Sequence, residues 1–238
     1  MRIDEFLDLA RNRRSIRKFK SDPVPDEHIQ KILESARWAM SGANAQPWEF
    51  IIIKGQETKK KLAEISCHHD EMNLAIELTR SEEFRKPRLR AGHVPDKLWI
   101  DAPVIIAVLG DKRTMLASTL VMRLFELHTF DHNMANTTHM IHLAAAALGL
   151  GAEWISIDEP MSEEMKHILG IPAVLTLFSL VPIGYPAHQP ASYRRELDEL
   201  VHHEKYDMSK FRSQDEIKKF ILDLRKRHLS AGSYPVHK

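Results

Sequence analysis

The chain holds a single cysteine, Cys67, among 238 residues. An internal disulfide is therefore impossible, a reducing compartment is the expected setting, and a thiolate metal cluster is out of reach. No stretch approaches the roughly eighteen uncharged apolar residues of a membrane helix, so no span is expected. Met1-Arg2-Ile3-Asp4-Glu5 lacks the apolar run of a signal peptide, which makes the cytoplasm the expected location. Charge of one sign is also missing. Thirty-four Lys and Arg face 33 Asp and Glu for a net +1, so no global field draws the chain to nucleic acid or an acidic membrane. There is no Gly-x-Gly-x-x-Gly and no P-loop, so a separately bound Rossmann-type nicotinamide nucleotide is not indicated. Internal repeats and low-complexity tracts are absent too.

What is present suits one globular domain, or one domain with an arm. Phe6, Leu7, Leu9 and Ala10 place an apolar patch on a short first helix that breaks at an arginine cluster. Ile29, Ile32, Leu33 and Ala36 recur at i, i+3, i+4 and i+7, one buried helix face, with Asp26 and Glu27 in its first turn. Glu49–Ile53 and Pro103–Leu109 read as interior strands, short, β-branched and continuous. Lys59 to Glu77 is helical. Arg80 to Lys97 is charged and broken by Pro87, Gly92 and Pro95, and reads as a mobile excursion of the lid or binding-loop kind. Asn133 to Leu148 is a buried helix closed by Gly149, Trp154 to Ile157 a third strand, Pro160 to Gly170 another helix, and Val174 to Val181 a fourth strand. After Pro190 charge increases, and Ser213 with Glu216 caps an amphipathic helix carrying Ile217, Phe220, Ile221 and Leu224. Short strands interspersed with helices give an α/β sandwich.

Two stretches carry the chemistry. Arg13-Arg14-Ser15-Ile16-Arg17-Lys18-Phe19 packs four basic residues and a hydroxyl into seven positions. Guanidiniums supply bidentate charged donors and Ser a neutral one, a set that suits a phosphate, although read alone the stretch fits a solvated basic turn better. One helix later Ser41-Gly42-Ala43-Asn44-Ala45-Gln46-Pro47-Trp48 leads straight into an apolar run.

Together these stretches resemble the FMN-dependent nitroreductase family, whose members carry an Arg-x-Ser-x-Arg segment followed by a Ser-rich Asn-x-Gln-Pro-Trp segment. The resemblance continues through Gly149–Ser156, Val181–Pro186 and Arg194-Arg195-Glu196-Leu197, in the family's order, and spans roughly Arg13 to Asp198. It implies a central mixed β-sheet flanked by helices in an intertwined homodimer. Residues 1–190 would form the FMN-binding core. Residues 191–238 would be a C-terminal extension whose amphipathic helix packs at the dimer interface. It further implies FMN as cofactor, NADH or NADPH as donor, hydride transfer to flavin N5, and a nitroaromatic, quinone or similar flat acceptor served by a ping-pong mechanism.

By the same resemblance Arg13 and Ser15 meet the phosphate and ribityl end, and Arg14 adds contacts there. Arg17 sits near the N1/O2 edge, where a fixed cation favours the charge gained on reduction. Ser41, Asn44 and Gln46 reach the flavin from the other subunit, against a plainer reading as loop-capping side chains. Trp154, Ile155 and Ser156 pass the ring with their backbone. Arg194, or Arg195 one register on, supplies a late basic phosphate ligand, although Glu196 stands where the family usually has proline. No side-chain acid or base is nominated, since the cofactor does the chemistry.

Arg37-Trp38-Ala39-Met40 replaces smaller residues and proline, and Gly42 stands where many members have serine, so the ring pocket is expected to differ from the family's. Deiodinase-like relatives clamp iodotyrosine with a Glu/Tyr/Lys trio. Asp70, Leu74 and Asp96 fall at those places here, which argues against a halotyrosine, while residues 66–100 are expected to set acceptor preference. Fourteen histidines include His128/His132, His139/His142, His68-His69 and His202-His203, but none lies in a His-Glu-x-x-His pattern, and no metal site is expected. The rival readings are a flavin-dependent dehydrogenase or reductive dehalogenase acting on a specific metabolite, and a non-turnover flavin-binding sensor. A nucleic-acid binder using Arg11 to Lys20 is disfavoured by the near-zero net charge.

Overall fold

The computed structural model describes residues 2–85, 98–117 and 128–230. The chain divides into two compact units, one of residues 1–69 and 96–189, the other of residues 70–95 and 190–238.

The first unit is built on a five-stranded sheet. Its strands are β1 (Trp48–Ile53), β2 (Val104–Asp111), β3 (Gly151–Ala152), β4 (Ile155–Ser156) and β5 (Leu175–Gly184). The order is β1-β2-β5-β3, with β4 also on β5, and every pairing of these strands is antiparallel. The mixed character comes from a parallel bridge that Ser15 makes to Ala152. Among the described residues, four α-helices belong wholly to this unit: α1 (Ile3–Asn12), α2 (Asp26–Arg37), α4 (Thr129–Ala147) and α5 (Glu159–Leu169). The long helix α3 (Gln56–Leu78) begins in it.

The continuous apolar run of β2 is explained by burial on both faces. Val104, Ile106 and Val108 point one way with Val181 and Ile183, against Ile29, Ile32 and Ala36 of α2 and Met134, Ile141 and Ala145 of α4. Ile105, Ala107 and Leu109 point the other way with Leu177 and Leu180, against Leu62 of α3 and Met161 and Met165 of α5. Helix, sheet and helix thus form three layers. Leu177 and Leu180 share a face although three residues apart, because the register shifts between Val108, opposite Ser179, and Leu109, opposite Leu177. Phe178 is the extra residue of that bulge and packs on the α2/α4 side.

The expected third strand over Trp154–Ile157 is instead two short pieces, β3 and β4, both in one register with β5. The interruption lies opposite Pro182. Glu153 N donates to the Pro182 carbonyl at 3.2 Å, but proline has no N–H to return the bond, so the ladder breaks there. Helix α4 starts four residues earlier than its periodicity suggested, at Thr129, and its buried face carries Asn133, Thr137, Thr138 and His142 alongside Met134 and Ile141. At Gly149 φ is +72° and at Gly170 +65°, the left-handed geometry expected after the C-termini of α4 and α5.

The second unit centres on α6 (Gln214–Ser230). The anticipated capping box is formed: Ser213 N donates to Glu216 Oε2 at 2.7 Å, and Glu216 N donates to Ser213 Oγ at 3.3 Å. Arg225 donates Nη1 to the carbonyls of Glu83 and Arg85, both at 3.2 Å, and Arg227 lies 4.2 Å over the Tyr193 ring. The expected excursion over 80–97 falls for the most part outside the described residues, as does Asp96. Among the described residues no helix is long and apolar enough to cross a membrane.

Ile106 is wholly buried in the sheet's centre. Ile106→Ala should lower unfolding free energy by about 2–5 kcal/mol in a denaturant titration, the range for an aliphatic core truncation that leaves a cavity. Ile52→Ala, on the outer strand β1 with 39% of its surface exposed, should cost clearly less in the same titration.

Candidate functional site

Arginine segment and sheet edge meet through backbone. α1 ends at Arg13, whose N–H donates to Leu9 O at 2.9 Å and whose ψ of 132° turns the chain extended. Ser15 then bridges to Ala152, and Ile16 N donates to Ala152 O at 3.0 Å. This approach needs Gly151: a Cβ there would lie 2.4 Å from Ile16 Cγ1. Phe19 bridges to Pro186 further on, so the whole basic stretch is laid along the free edge of the sheet.

The guanidiniums follow from that placement. Arg13, Arg14 and Ser15 are half-buried. Arg14 Nη1 donates to the carbonyls of Arg11 and Arg13. Arg13, Arg14, Ile16, His142, Gly151 and Gln189 are among the residues lining a cavity of about 190 Å³. Arg17 Nε donates to Glu153 Oε1 at 2.9 Å, with the two side chains 31% and 14% exposed. Glu153 lies within the Gly149–Ser156 stretch, where the sequence suggests no role for it; the structure pairs it with Arg17.

His142 is the second residue that sequence reasoning passed over. It is 5% exposed, and neither ring nitrogen has a hydrogen-bond partner. Its ring stacks on Trp154 at 6.2 Å and 10° between planes. Burial, then the positive charge of Arg13 and of His139, pushes its pKa down to about 4. A neutral imidazole in a cavity walled by two arginines is a hydrogen-bonding group awaiting a partner, since buried polar groups are normally satisfied. The i, i+3 spacing of His139 and His142 was the available signal, but it was weighed only as metal ligation. Among the described residues no cluster of His, Cys, Asp and Glu could hold a metal.

The Ser41–Gln46 loop is held by the other end of α4. Asn133 Oδ1 accepts from Gly42 N at 2.9 Å, Asn136 Nδ2 donates to Met40 O at 3.1 Å, and Thr137 Oγ1 donates to Ala36 O at 3.0 Å. Within the loop Ser41 Oγ accepts from Gln46 N at 3.1 Å, so Ser41 does cap the turn. Ala43, Asn44 and Gln46 have φ of 53°, 52° and 43°, strained values for residues with a Cβ. Asn44 and Gln46 are exposed. Gly42 is dictated by packing, because a Cβ would meet Thr129 Cγ2 at 2.6 Å; serine does not fit this loop as it stands.

The structure therefore gathers Arg13, Arg14, Ser15 and Arg17 with the Gly149–Glu153 edge, and places Trp154 beside it. It does not bring Ser41, Asn44 and Gln46 to the same place within one chain. Asn133 and His142 are nine residues apart on α4, about 13 Å along the axis at ~1.5 Å per residue. Ile155 and Ser156 form β4 on β5. Arg194 and Arg195 belong to the second unit, where Arg194 Nη1 donates to Ser192 Oγ at 2.9 Å and Arg195 Nε to Glu199 Oε2 at 3.0 Å.

Fold and site define a class: a three-layer α/β sandwich with an arginine-lined cavity at the edge of its sheet. The match to the model "Nitroreductase family" over residues 10–185 gives that class its name, and the chain belongs to this family. An inferred NADH dehydrogenase/NAD(P)H nitroreductase of Archaeoglobus fulgidus is 28% identical, the match covering 86% of this chain and 100% of that one. Iodotyrosine deiodinase 1 of Rattus norvegicus is 27% identical over 84% of this chain and 70% of its own length. The solved structure of an iodotyrosine deiodinase bound to FMN and 3-iodo-L-tyrosine has the same fold, with a TM-score of 0.65 at 23% identity over 84% of this chain and 99% of that one.

The buried imidazole has a measurable consequence. Its folded pKa lies below the ordinary value of 6.5, so between about 4 and 6.5 the unfolded chain holds the extra proton. The stability is complete above pH 6.5 and declines as pH falls towards 4. At pH 5 the loss is on the order of 2 kcal/mol. His142→Leu should flatten that acid limb in unfolding titrations run from pH 7.5 to 5, and an unaltered limb would remove His142 as its source.

Proposed function

We propose that this chain is an FMN-dependent oxidoreductase that takes hydride from NADH or NADPH and passes electrons to a flat acceptor such as a nitroaromatic or quinone. The observation that carries the reading is the Arg13-Arg14-Ser15 segment docked on Ala152, beside a cavity holding an unsatisfied imidazole. Two guanidiniums and a hydroxyl match a phosphate dianion, and a neutral His142 can donate to a phosphate or ribityl oxygen without adding charge. The residues present fit the group. Bound there, FMN supplies hydride acceptance at N5 and electron release to the acceptor. Arg13, Arg14 and Ser15 would hold its anionic end, Arg17 would serve the pyrimidine edge, and the backbone at Trp154–Ser156 would serve the ring.

The split between the arginine cradle and the Ser41–Gln46 loop supports a homodimer in which Asn44 and its neighbours complete a partner's site. Trp38 and Met40, just before that loop, are 72% and 77% exposed, as large apolar side chains awaiting cover would be. Leu197, Met208 and Phe211 in the second unit are 74%, 70% and 60% exposed, which supports cover by a partner over residues 191–238 as well.

A specific-metabolite reading, dehydrogenase or dehalogenase, draws on the kinship with iodotyrosine deiodinase. Against a halotyrosine stands Asp70, which is 4% exposed and so poorly placed to clamp a substrate ammonium or carboxylate.

Purified protein should show a flavin spectrum that bleaches with NADH or NADPH under anaerobic conditions. Arg13→Ala should weaken FMN binding at least tenfold in a fluorescence titration, the loss of one charge-assisted contact of about 1.5–3 kcal/mol. Protein that takes up no FMN even on soaking would end this reading.

A further inference from the structure

We infer that Glu153 is a positioning residue that sets the reduction potential of the bound flavin by partly neutralising Arg17; the inference rests on the flavin reading above. Arg17 pairs with a carboxylate across the sheet edge, at 2.9 Å from Nε to Glu153 Oε1. The pair is fixed from both sides. Ile16, the residue before Arg17, is hydrogen-bonded to Ala152, the residue before Glu153. Glu153 N is in turn bonded to Pro182 O at 3.2 Å. Each partner therefore leaves a backbone that the β-ladder holds in place, and the pair bridges neighbouring segments one residue beyond the Ser15–Ala152 pairing.

The electrostatics follow from that geometry. A guanidinium at the flavin's pyrimidine edge stabilises the negative charge gathered there on reduction and so raises the potential. A carboxylate in contact with the same guanidinium offsets part of its field. The offset is substantial here because Glu153 is mostly shielded from water, at 14% exposure, and screening is correspondingly reduced. Arg17 keeps about a third of its side chain open, while Nε is spent on Glu153. The carboxylate thus does two things: it holds the cation in one orientation, and it lowers the preference of the site for reduced over oxidised flavin.

The interruption of the sheet explains why a carboxylate can stand here. Opposite Pro182 the ladder lacks a donor, β3 ends at Ala152, and Glu153 occupies the gap before β4. A regular strand would place an apolar residue at this point of a covered sheet; the gap leaves room for a charged one facing Arg17.

The test is a reductive titration of flavin-loaded protein against a reference dye, on wild type, Glu153→Gln, Arg17→Ala and the double variant, with thermal unfolding of each run alongside. Glu153→Gln should raise the preference for reduced over oxidised flavin about tenfold, which is about 30 mV for a two-electron couple. Arg17→Ala should lower it, and adding Glu153→Gln to Arg17→Ala should change nothing further, because the carboxylate acts through the guanidinium. Glu153→Ala serves as a second variant should the glutamine fail to fold, with the same rise expected. An unchanged potential in the Glu153 variants, whatever their melting temperature, overturns the inference while leaving flavin binding intact. A rise that persists in the Arg17→Ala background overturns it as well, since the carboxylate would then act directly. Wild type that binds no FMN overturns both this inference and the reading beneath it, and is told apart by its spectrum.

Discussion

The backbone bond between Ile16 and Ala152 is the contact on which the rest of the site depends. It converts a basic, hydrophilic turn into the outermost strand-like segment of a covered sheet. Without it Arg13, Arg14 and Arg17 would be solvated side chains with the rotamer freedom that makes surface charges weak ligands. With it their Cα positions are set by a ladder that continues through β5 into β2, the most deeply buried strand of the sandwich. The bond is possible only because Gly151 has no side chain where Ile16 lies. One missing methyl group therefore connects the core to the arginine-lined cavity.

Helix α4 transmits the same rigidity to two places. Its apolar residues Met134, Ile141 and Ala145 are core, while Asn133, Asn136 and Thr137 spend their side chains on the backbone of residues 36–42. Those bonds compensate the strained φ values of Ala43, Asn44 and Gln46, which no free loop would keep. At its other end the helix offers His142 to the arginine cavity. A buried polar group of that kind is a poor choice for stability and a reasonable one for a ligand contact.

Much of this was legible in the sequence, and the reason is periodicity. The i, i+3, i+4 pattern of α2, the continuous run of β2 and the Ser213–Glu216 cap are local signals, and the local signal prevailed in each case. Motif order marked the arginine stretch and the Ser41 loop. Side-chain partners were not legible. That Glu153 would meet Arg17 depends on a pairing 136 positions apart in sequence, and on Pro182 breaking a third strand into two. That Gly42 is a packing residue, where serine had been the expected family choice, depends on Thr129 lying over it.

The Glu153 pairing also bears on why family resemblance reaches chemistry more readily than acceptor. Cofactor binding draws on charges and backbone that a motif can specify, since a phosphate needs guanidiniums and a ring needs an extended segment to lie on. Acceptor choice draws on driving force and on the shape of whatever covers the ring. On the proposed reading, driving force is tuned by a carboxylate that no cofactor contact requires, and such a side chain can change without disturbing the fold, because the bond from Glu153 N to Pro182 O uses only backbone. Relatives with nitroreductase and deiodinase names, both a little over a quarter identical to this chain, are what that freedom would produce. On the proposed reading the sandwich fixes where electrons are held, and Glu153 sets how readily they leave.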